Sequence, residues 1–308
     1  MTQPHQRLSH ADLLCVLAVI LIWGCNFVAM KFALRDFTPF QLGAARYVFA
    51  ALPLVLFIRP PKLAWKWVAA YGLAQGVGQF GFLFSALQAG MTAALASVLM
   101  QTQVFFTALF GFFLLHEKLS KPLIGGLTLA AAALLCFSMN FIVDGGIAGA
   151  VTLPGFVLNL CAASMWAASN IVARKAQAAH SGYDALAFVV WSSLAPIIPF
   201  IAMTLWFDPA ATRWHWLDAP LSDWISVAYL GWIATIAGYA MWTALLKRHP
   251  ANRVSPFSLG VPVVGLTAGV VVLGESITAW QWGGIALVVA ALVCVMFGGR
   301  IKALSSCA

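Results

Sequence analysis

Arg46 is the most informative residue for chemistry, because it places a guanidinium inside the otherwise apolar stretch 39–58. It lies about seven residues into that stretch, which at ~1.5 Å per helical residue is roughly 10 Å from the nearer end. A guanidinium presents a rigid fork of donors that matches a carboxylate. We therefore expect Arg46 to bind a carboxylate in a polar cavity. The alternatives are that it reaches the nearer polar boundary or caps carbonyls of a neighbouring helix.

Two asparagines near tryptophans form a second candidate group. Asn26 follows Trp23 by three residues, and Asn170 follows Trp166 by four. Amides can hydrogen-bond a small ligand, and indole rings can form the walls around it. We expect this group to line a cavity, although hydrogen bonding between helices, which contributes about 0.6 kcal/mol on average in membranes, is a plainer role.

Glutamines and further aromatic residues complete the predicted site. Gln75 and Gln79 are four residues apart, so they can line one wall. Gln101 and Gln103 point about 200° apart on a helix, so at most one should face the cavity squarely. Aromatic residues that could form walls, with packing as the plainer role, are Tyr47, Trp191 and Tyr239. The candidate ligand-binding residues are Trp23, Asn26, Arg46, Gln79, Gln101, Trp166, Asn170, Trp191 and Tyr239.

The remaining reactive side chains argue against catalysis and against a bound metal. The nine acidic residues and six histidines lie between the apolar stretches or at their ends. The six cysteines are widely separated without C-x-x-C spacing, which favours packing over a disulfide framework. Because no buried nucleophile, acid–base pair or metal cluster is evident, we expect no enzyme activity, metal or cofactor.

The elements that must position these residues are membrane helices. The 308-residue chain is 62% hydrophobic and 8% charged, with a mean hydropathy of +0.92. About 20 apolar residues cross a bilayer core as a helix, and lipid leaves no partner for an open backbone. The sequence therefore predicts an all-α membrane protein with ten transmembrane helices. The apolar stretches are 13–34, 39–58, 67–89, 91–115, 122–142, 153–173, 185–206, 224–246, 254–273 and 278–299.

Basic residues predict the orientation of these helices. Only Arg35 and Arg213 lie in the loops of one side, whereas Lys31 and Arg46 fall inside apolar stretches. Both termini are therefore predicted to be cytoplasmic. Contact with anionic lipid accounts for the +8 net charge without nucleic acid. Lys31 is near enough to the outer surface to extend to headgroups. The thirteen residues of the predicted cytoplasmic side are Arg7, Arg59, Lys62, Lys66, Lys118, Lys121, Arg174, Lys175, Lys247, Arg248, Arg253, Arg300 and Lys302.

The second half of the chain repeats the first. Glu117 and Glu275 lie 158 residues apart, and each precedes a glycine pair by the same spacing. Near the starts of the halves the offset is 144, which relates Asn26 to Asn170. Because five helices are an odd number, repeats 1–142 and 153–299 should cross the membrane in opposite directions, as in secondary transporters. A duplicated bundle without transport is the alternative. The two glutamates are expected to cap helix ends.

Several motifs also resemble a known family. They are Trp23-Gly24-Cys25-Asn26-Phe27, Arg46-Tyr47, the run 90–97, the helix end 110–118 and the run 253–256 leading to 262–265. These resemble the EamA-type exporters of the drug/metabolite transporter superfamily, over nearly the whole chain. The likeness is greatest to bacterial exporters of O-acetylserine and cysteine, notably at 101–107 and 233–239.

The resemblance implies an alternating-access exporter of small amino-acid-like metabolites in the bacterial inner membrane. It implies ten helices, a central cavity, and cysteine or O-acetylserine as leading substrates. The partners would be a small-molecule metabolite and the lipid bilayer. The alternatives are an exporter of aromatic amino acids, nucleosides or drugs, a membrane-embedded enzyme, or a scaffold.

Overall fold

The chain is largely helical in a computed structural model that describes residues 9–143, 151–180, 182–249 and 254–305. Within these ranges there is no β-strand, as an all-α protein requires. Arg7 and Arg253 lie outside the described residues, as do one of the six histidines (His5), one of the nine acidic residues (Asp144) and one of the six cysteines (Cys307).

The helices follow one another with short connections. They are α1 (His10–Ala33), α2 (Pro39–Ala51), α3 (65–88), α4 (Ala93–Leu115), α5 (Lys121–Val143), α6 (Leu153–Ala179), α7 (Ala185–Phe207), α8 (221–248), α9 (Gly260–Leu273) and α10 (Ala279–Ser305). Short 3-10 turns occur inside α4 at Met100–Thr102 and before α9 at Ser255–Leu259.

Nine helices in the described ranges are long and apolar enough to cross a membrane. The exception among the predicted spans is α3, whose glutamines and glycines lower its hydropathy. A tenth span therefore stays a prediction.

Local sequence explains where several helices begin. Ser9 and Asp12 form a capping box at the start of α1, and Thr38 and Gln41 form another at the start of α2. Each pair satisfies two backbone N–H groups that the first helical turn leaves without partners. The Asp184 carboxylate accepts from two N–H groups at the start of α7. These caps define how α1, α2 and α7 begin.

Irregular backbone recurs at or close to the offset of 158 residues. A π-helical segment occupies Leu73–Phe80 in α3, and another occupies Tyr229–Ala237 in α8. His116 ends α4 in the left-handed region at φ 54°, and Gly274 ends α9 there at φ 67°. After each, the next N–H donates back into the helix, from Glu117 and Glu275 to carbonyls 3.2 and 3.3 Å away. Corresponding helices thus share their local distortions.

Helices α5 and α10 pack antiparallel through equivalent contacts. The Cys136 thiol donates to the Trp280 carbonyl at 3.5 Å, and the Cys294 thiol donates to the Pro122 carbonyl at 3.5 Å. At the offset of 158, Cys136 corresponds to Cys294 and Pro122 to Trp280, so each contact is the repeat equivalent of the other. A Cβ added at Gly126 would lie 2.3 Å from Val295, so this glycine permits the close approach of the helices.

Candidate functional site

A cavity of about 420 Å³ lies between the two halves of the helical bundle. It is lined from the first half by α1, α2, α3 and α4, and from the second half by α6, α8, α9 and α10. The candidate residues that line it together are Trp23, Asn26, Arg46, Gln79, Gln101, Trp166, Asn170 and Tyr239. Residues more than 200 positions apart in sequence therefore meet at one site.

Arg46 is buried at this site with neutral partners. Its side chain is 2% exposed, and its guanidinium carbon lies 3.8 Å from the centre of the Phe80 ring. Nη1 donates to the Asn26 amide oxygen at 3.4 Å, and Nη2 donates to the Thr235 hydroxyl at 3.0 Å. Its Nε has no hydrogen-bond partner in the described chain. In these contacts the guanidinium binds other side chains, whereas the two alternative roles would place it at lipid headgroups or against helix carbonyls.

The backbone of α8 places the Thr235 hydroxyl next to the Arg46 guanidinium. A Cβ at Gly231 would lie 3.0 Å from the Arg46 carbonyl oxygen, so this glycine lets α2 lie directly against α8. The Thr235 hydroxyl donates to the Leu230 carbonyl at 2.8 Å, a five-residue spacing that suits the π-helical backbone. Because the hydroxyl proton is used there, its oxygen is oriented to accept from Arg46. Sequence reasoning missed Thr235; its signal was a hydroxyl in an apolar stretch.

The two asparagines line the cavity and also join helices. The Asn26 oxygen accepts from Arg46, whereas the Asn170 amide donates to the Gln103 oxygen at 2.8 Å and to the Thr107 hydroxyl at 3.2 Å. The geometry is therefore compatible both with binding of a ligand and with hydrogen bonding between helices.

Gln101 and Gln103, of which at most one was expected to face the cavity squarely, both line it. Gln101 extends toward α9, where its amide donates to the Ser258 carbonyl at 3.3 Å. Gln103 extends the other way, toward Asn170. The two side chains thus point in opposite directions and line different walls of one broad cavity.

The two glutamines of α3 have different surroundings. Gln79 lines the cavity, but Gln75 lines a separate small pocket behind Tyr239. The Gln75 amide donates to the Tyr239 hydroxyl at 2.6 Å and accepts from the Ser169 hydroxyl at 2.7 Å. The expectation that both glutamines share a cavity wall was therefore wrong, because these bonds hold Gln75 outside the cavity.

Two of the aromatic residues predicted to form cavity walls, Trp191 and Tyr47, do not line the cavity, whereas Phe27, Phe80 and Trp242, which were not predicted, do. Trp191 does not line the cavity, because its indole donates to the Ile58 carbonyl at 2.9 Å and packs on Trp65. Trp242 does line it, with its ring 5.6 Å from that of Trp23. Its position one helical turn after Tyr239 was the signal for its inclusion. Tyr47 faces the small pocket, where it stacks on Phe200.

Helices α4 and α9 close one end of the cavity. A Cβ at Gly265 would lie 2.4 Å from that of Ser97, so the helices touch closely here. The Glu275 carboxylate accepts from the N–H groups of Ala93 and Ala94 at 2.7 and 2.8 Å, which confirms its capping role. Helix α9 packs along Ala93–Leu99 but at most marginally along Gln103–Leu115. The two helices diverge, and the cavity lies where they separate.

Two charged residues behave differently from expectation. Glu117 pairs with Arg174 across the halves, with both side chains 46% exposed. No capping bond from the Glu117 carboxylate to a helix end is present in the described chain. Lys31 donates to the Leu87 carbonyl at 2.9 Å at the end of α3. Its ammonium therefore satisfies a helix C-terminus instead of extending to headgroups.

Comparison with known proteins agrees with this arrangement. The model of the EamA-like transporter family matches residues 11–139 and again 153–297. A probable amino-acid metabolite efflux pump of Salmonella typhimurium is 36% identical, covering 96% of this chain and 98% of the relative. One of Escherichia coli is 37% identical, covering 95% and 97%. A solved crystal structure shares the fold with a TM-score of 0.61 at 21% identity, covering 95% of this chain and 98% of that one. With two family matches that together span most of its length, this chain belongs to the EamA-like transporter family.

Proposed function

We propose that this membrane exporter of small metabolites carries amino-acid-like solutes, with cysteine and O-acetylserine as the leading substrates. The observation that carries the proposal is a buried guanidinium in a cavity between two halves, held by neutral groups in the described chain. A carboxylate is the complementary ligand for such a cation. The cavity volume of about 420 Å³ also lies in the usual range for small-molecule sites, about 300–1,000 Å³.

The proposed architecture is two inverted five-helix repeats, 1–142 and 153–299, with α3 as the tenth span. The recurrence of left-handed helix ends at an offset of 158, and of π-helical segments close to it, supports the repeat. The exchanged contacts of antiparallel α5 and α10 support its inversion. The excess of basic residues on one side supports cytoplasmic termini and placement in the bacterial inner membrane.

Transport in this proposal follows from the α4–α9 pair. In the present arrangement these helices are packed at one end and apart at the other. Equivalent packing at the opposite end, with separation at the first, would expose the same cavity to the other side of the membrane. Inverted repeats provide two such packings of similar energy.

The test is solute flux through purified protein in liposomes. We expect saturable flux of labelled cysteine or O-acetylserine, inhibited by related amino acids and much less by their methyl esters. Empty liposomes and liposomes with an unrelated membrane protein are the controls. Flux of nucleosides or drugs without flux of any amino acid would refute the proposed substrate class, and no flux of any solute would favour a scaffold.

A further inference from the structure

Among the amides that line the described cavity, Gln79 alone has an oxygen that is both fully buried and without a hydrogen-bond partner. Its side chain is 4% exposed, and that oxygen is buried without a hydrogen bond in the described chain. A buried acceptor left in this state costs about 1–3 kcal/mol. A polar ligand in the cavity that Gln79 lines can supply the missing donor.

The neighbouring amides each form at least one hydrogen bond with the protein. Asn26 accepts from Arg46, Asn170 donates to Gln103, and Gln101 donates to the Ser258 carbonyl. Within the described part of the cavity wall, Gln79 offers the buried amide oxygen that no protein group uses.

Arg46 provides an unpaired hydrogen-bond donor that complements this acceptor. Its Nε is a buried donor without a partner in the described residues, on a side chain that carries a positive charge. Two residues of the cavity wall thus carry an unpaired cationic donor and an unpaired neutral acceptor. An α-amino acid zwitterion has the reverse pair, a carboxylate that accepts and an ammonium that donates.

The chemistry of the wall favours a neutral acceptor for the ammonium. No acidic residue lines the described cavity. A carboxylate there would form an ion pair with Arg46 and compete with the substrate for the guanidinium. A glutamine oxygen avoids this competition, and the Trp23 ring, which also lines the cavity, can stabilise a cation through its face.

We propose that Gln79 is the ammonium-recognition residue of the site, accepting the α-ammonium through its amide oxygen while Arg46 holds the carboxylate. This inference rests on the proposed function, because it assigns the second charged group of the same class of substrate. It makes the site selective for zwitterions over acids without an amine and over amines without an acid.

The test compares three ligands that differ by one group each. The probes are L-cysteine, 3-mercaptopropionate, which lacks the ammonium, and cysteamine, which lacks the carboxylate. Their binding is measured on purified wild-type protein and on the Gln79→Met and Arg46→Gln variants. Gln88→Met, at an exposed position on the same helix, is the matched control.

The expected pattern separates the two residues. Gln79→Met should weaken cysteine binding roughly tenfold or more, as expected for a lost hydrogen bond to a charged group, and leave 3-mercaptopropionate unchanged. Arg46→Gln should weaken cysteine and 3-mercaptopropionate but not cysteamine. Unchanged 3-mercaptopropionate binding also shows that the Gln79→Met variant is folded.

Two results would overturn the inference. Cysteine binding that survives Gln79→Met, or equal losses for cysteine and 3-mercaptopropionate, would remove Gln79 from ammonium recognition even if Arg46→Gln behaves as expected. Failure of the wild-type protein to bind any of the three probes would instead refute the proposed function, and the inference with it.

Discussion

Arg46 keeps a charge in the protein interior without an acidic partner in the described chain. A hydrogen bond to a charged group contributes about 1.5–3 kcal/mol, and a desolvated cation–π contact contributes about 2 kcal/mol. Asn26, Thr235 and Phe80 together therefore offset part of the cost of burying the guanidinium. They leave its charge available, which is what a carboxylate-binding site requires.

Substitution of Arg46 tests this role directly. Arg46→Gln should abolish binding of amino acids that carry a free carboxylate, because the cationic donor is lost. Arg46→Lys should recover only part, because an ammonium lacks the planar fork. Binding of an amino acid and of its methyl ester is measured together with the melting temperature. Equal losses for acid and ester, with a lower melting temperature, would show that Arg46 is structural.

The asparagines give a second prediction at this scale. Asn26→Ala removes a partner of Arg46, and Asn170→Ala breaks the link between α6 and α4. We expect both variants to transport more slowly, and Asn26→Ala to weaken substrate binding more, because Asn26, unlike Asn170, contacts the Arg46 guanidinium. Flux in liposomes at matched protein density measures this. Wild-type rates for both variants would contradict the assignment of these helices to the cavity.

At the scale of elements, the two glutamates that follow α4 and α9 have different structural roles. Glu275 caps two backbone N–H groups at the packed end of the α4–α9 pair. Glu117, its counterpart at the offset of 158, forms a half-exposed ion pair with Arg174. The same residue type in the same local structure thus serves two roles, because the packing around it differs.

This difference predicts unequal effects on stability. Glu275→Ala should lower the free energy of unfolding by about 1–2 kcal/mol, as expected for loss of a helix cap. Glu117→Ala should cost less than about 1 kcal/mol, because exposed ion pairs contribute little. Thermal unfolding in detergent compares the two variants. A cost for Glu117→Ala as large as that for Glu275→Ala would contradict the structural asymmetry.

At the scale of the whole molecule, orientation in the membrane is the first prediction. Ala178 and Ala210 are both exposed, and the distribution of basic residues predicts that they lie on opposite sides of the membrane. A cysteine at position 210 should react with an impermeant reagent from the periplasm. One at position 178 should react only after the cytoplasmic side is opened. The reverse labelling pattern would overturn the proposed orientation.

Energy coupling is the second prediction at this scale. No Asp, Glu or His lines the described cavity, so the usual carriers of a transported proton are missing there. We expect flux in liposomes to proceed without a pH gradient and to change little when one is imposed. Proton movement in fixed ratio to substrate would contradict this expectation and would direct attention to Lys31.

The sequence by itself determined the helical class, the approximate extent of most helices and the residues that could serve a binding site. Hydropathy and charge are properties of short segments, and a bilayer requires helices of a known length, so a linear pattern carries this information. Arg46, Asn26, Asn170 and Gln79 stand out as candidates by the same reasoning, because polar groups in apolar helices are costly and few.

Only the tertiary structure decided which of these residues meet and what each one contacts. Trp191 and Trp242 are both tryptophans in apolar stretches, yet of the two only Trp242 faces the cavity. Gln75 and Gln79 share a helix, yet of the two only Gln79 lacks a partner for its amide oxygen in the described chain. The rotation and tilt of a buried helix are set by the helices packed against it. Where π-helical segments interrupt α3 and α8, the regular helical period no longer predicts which side chain faces inward.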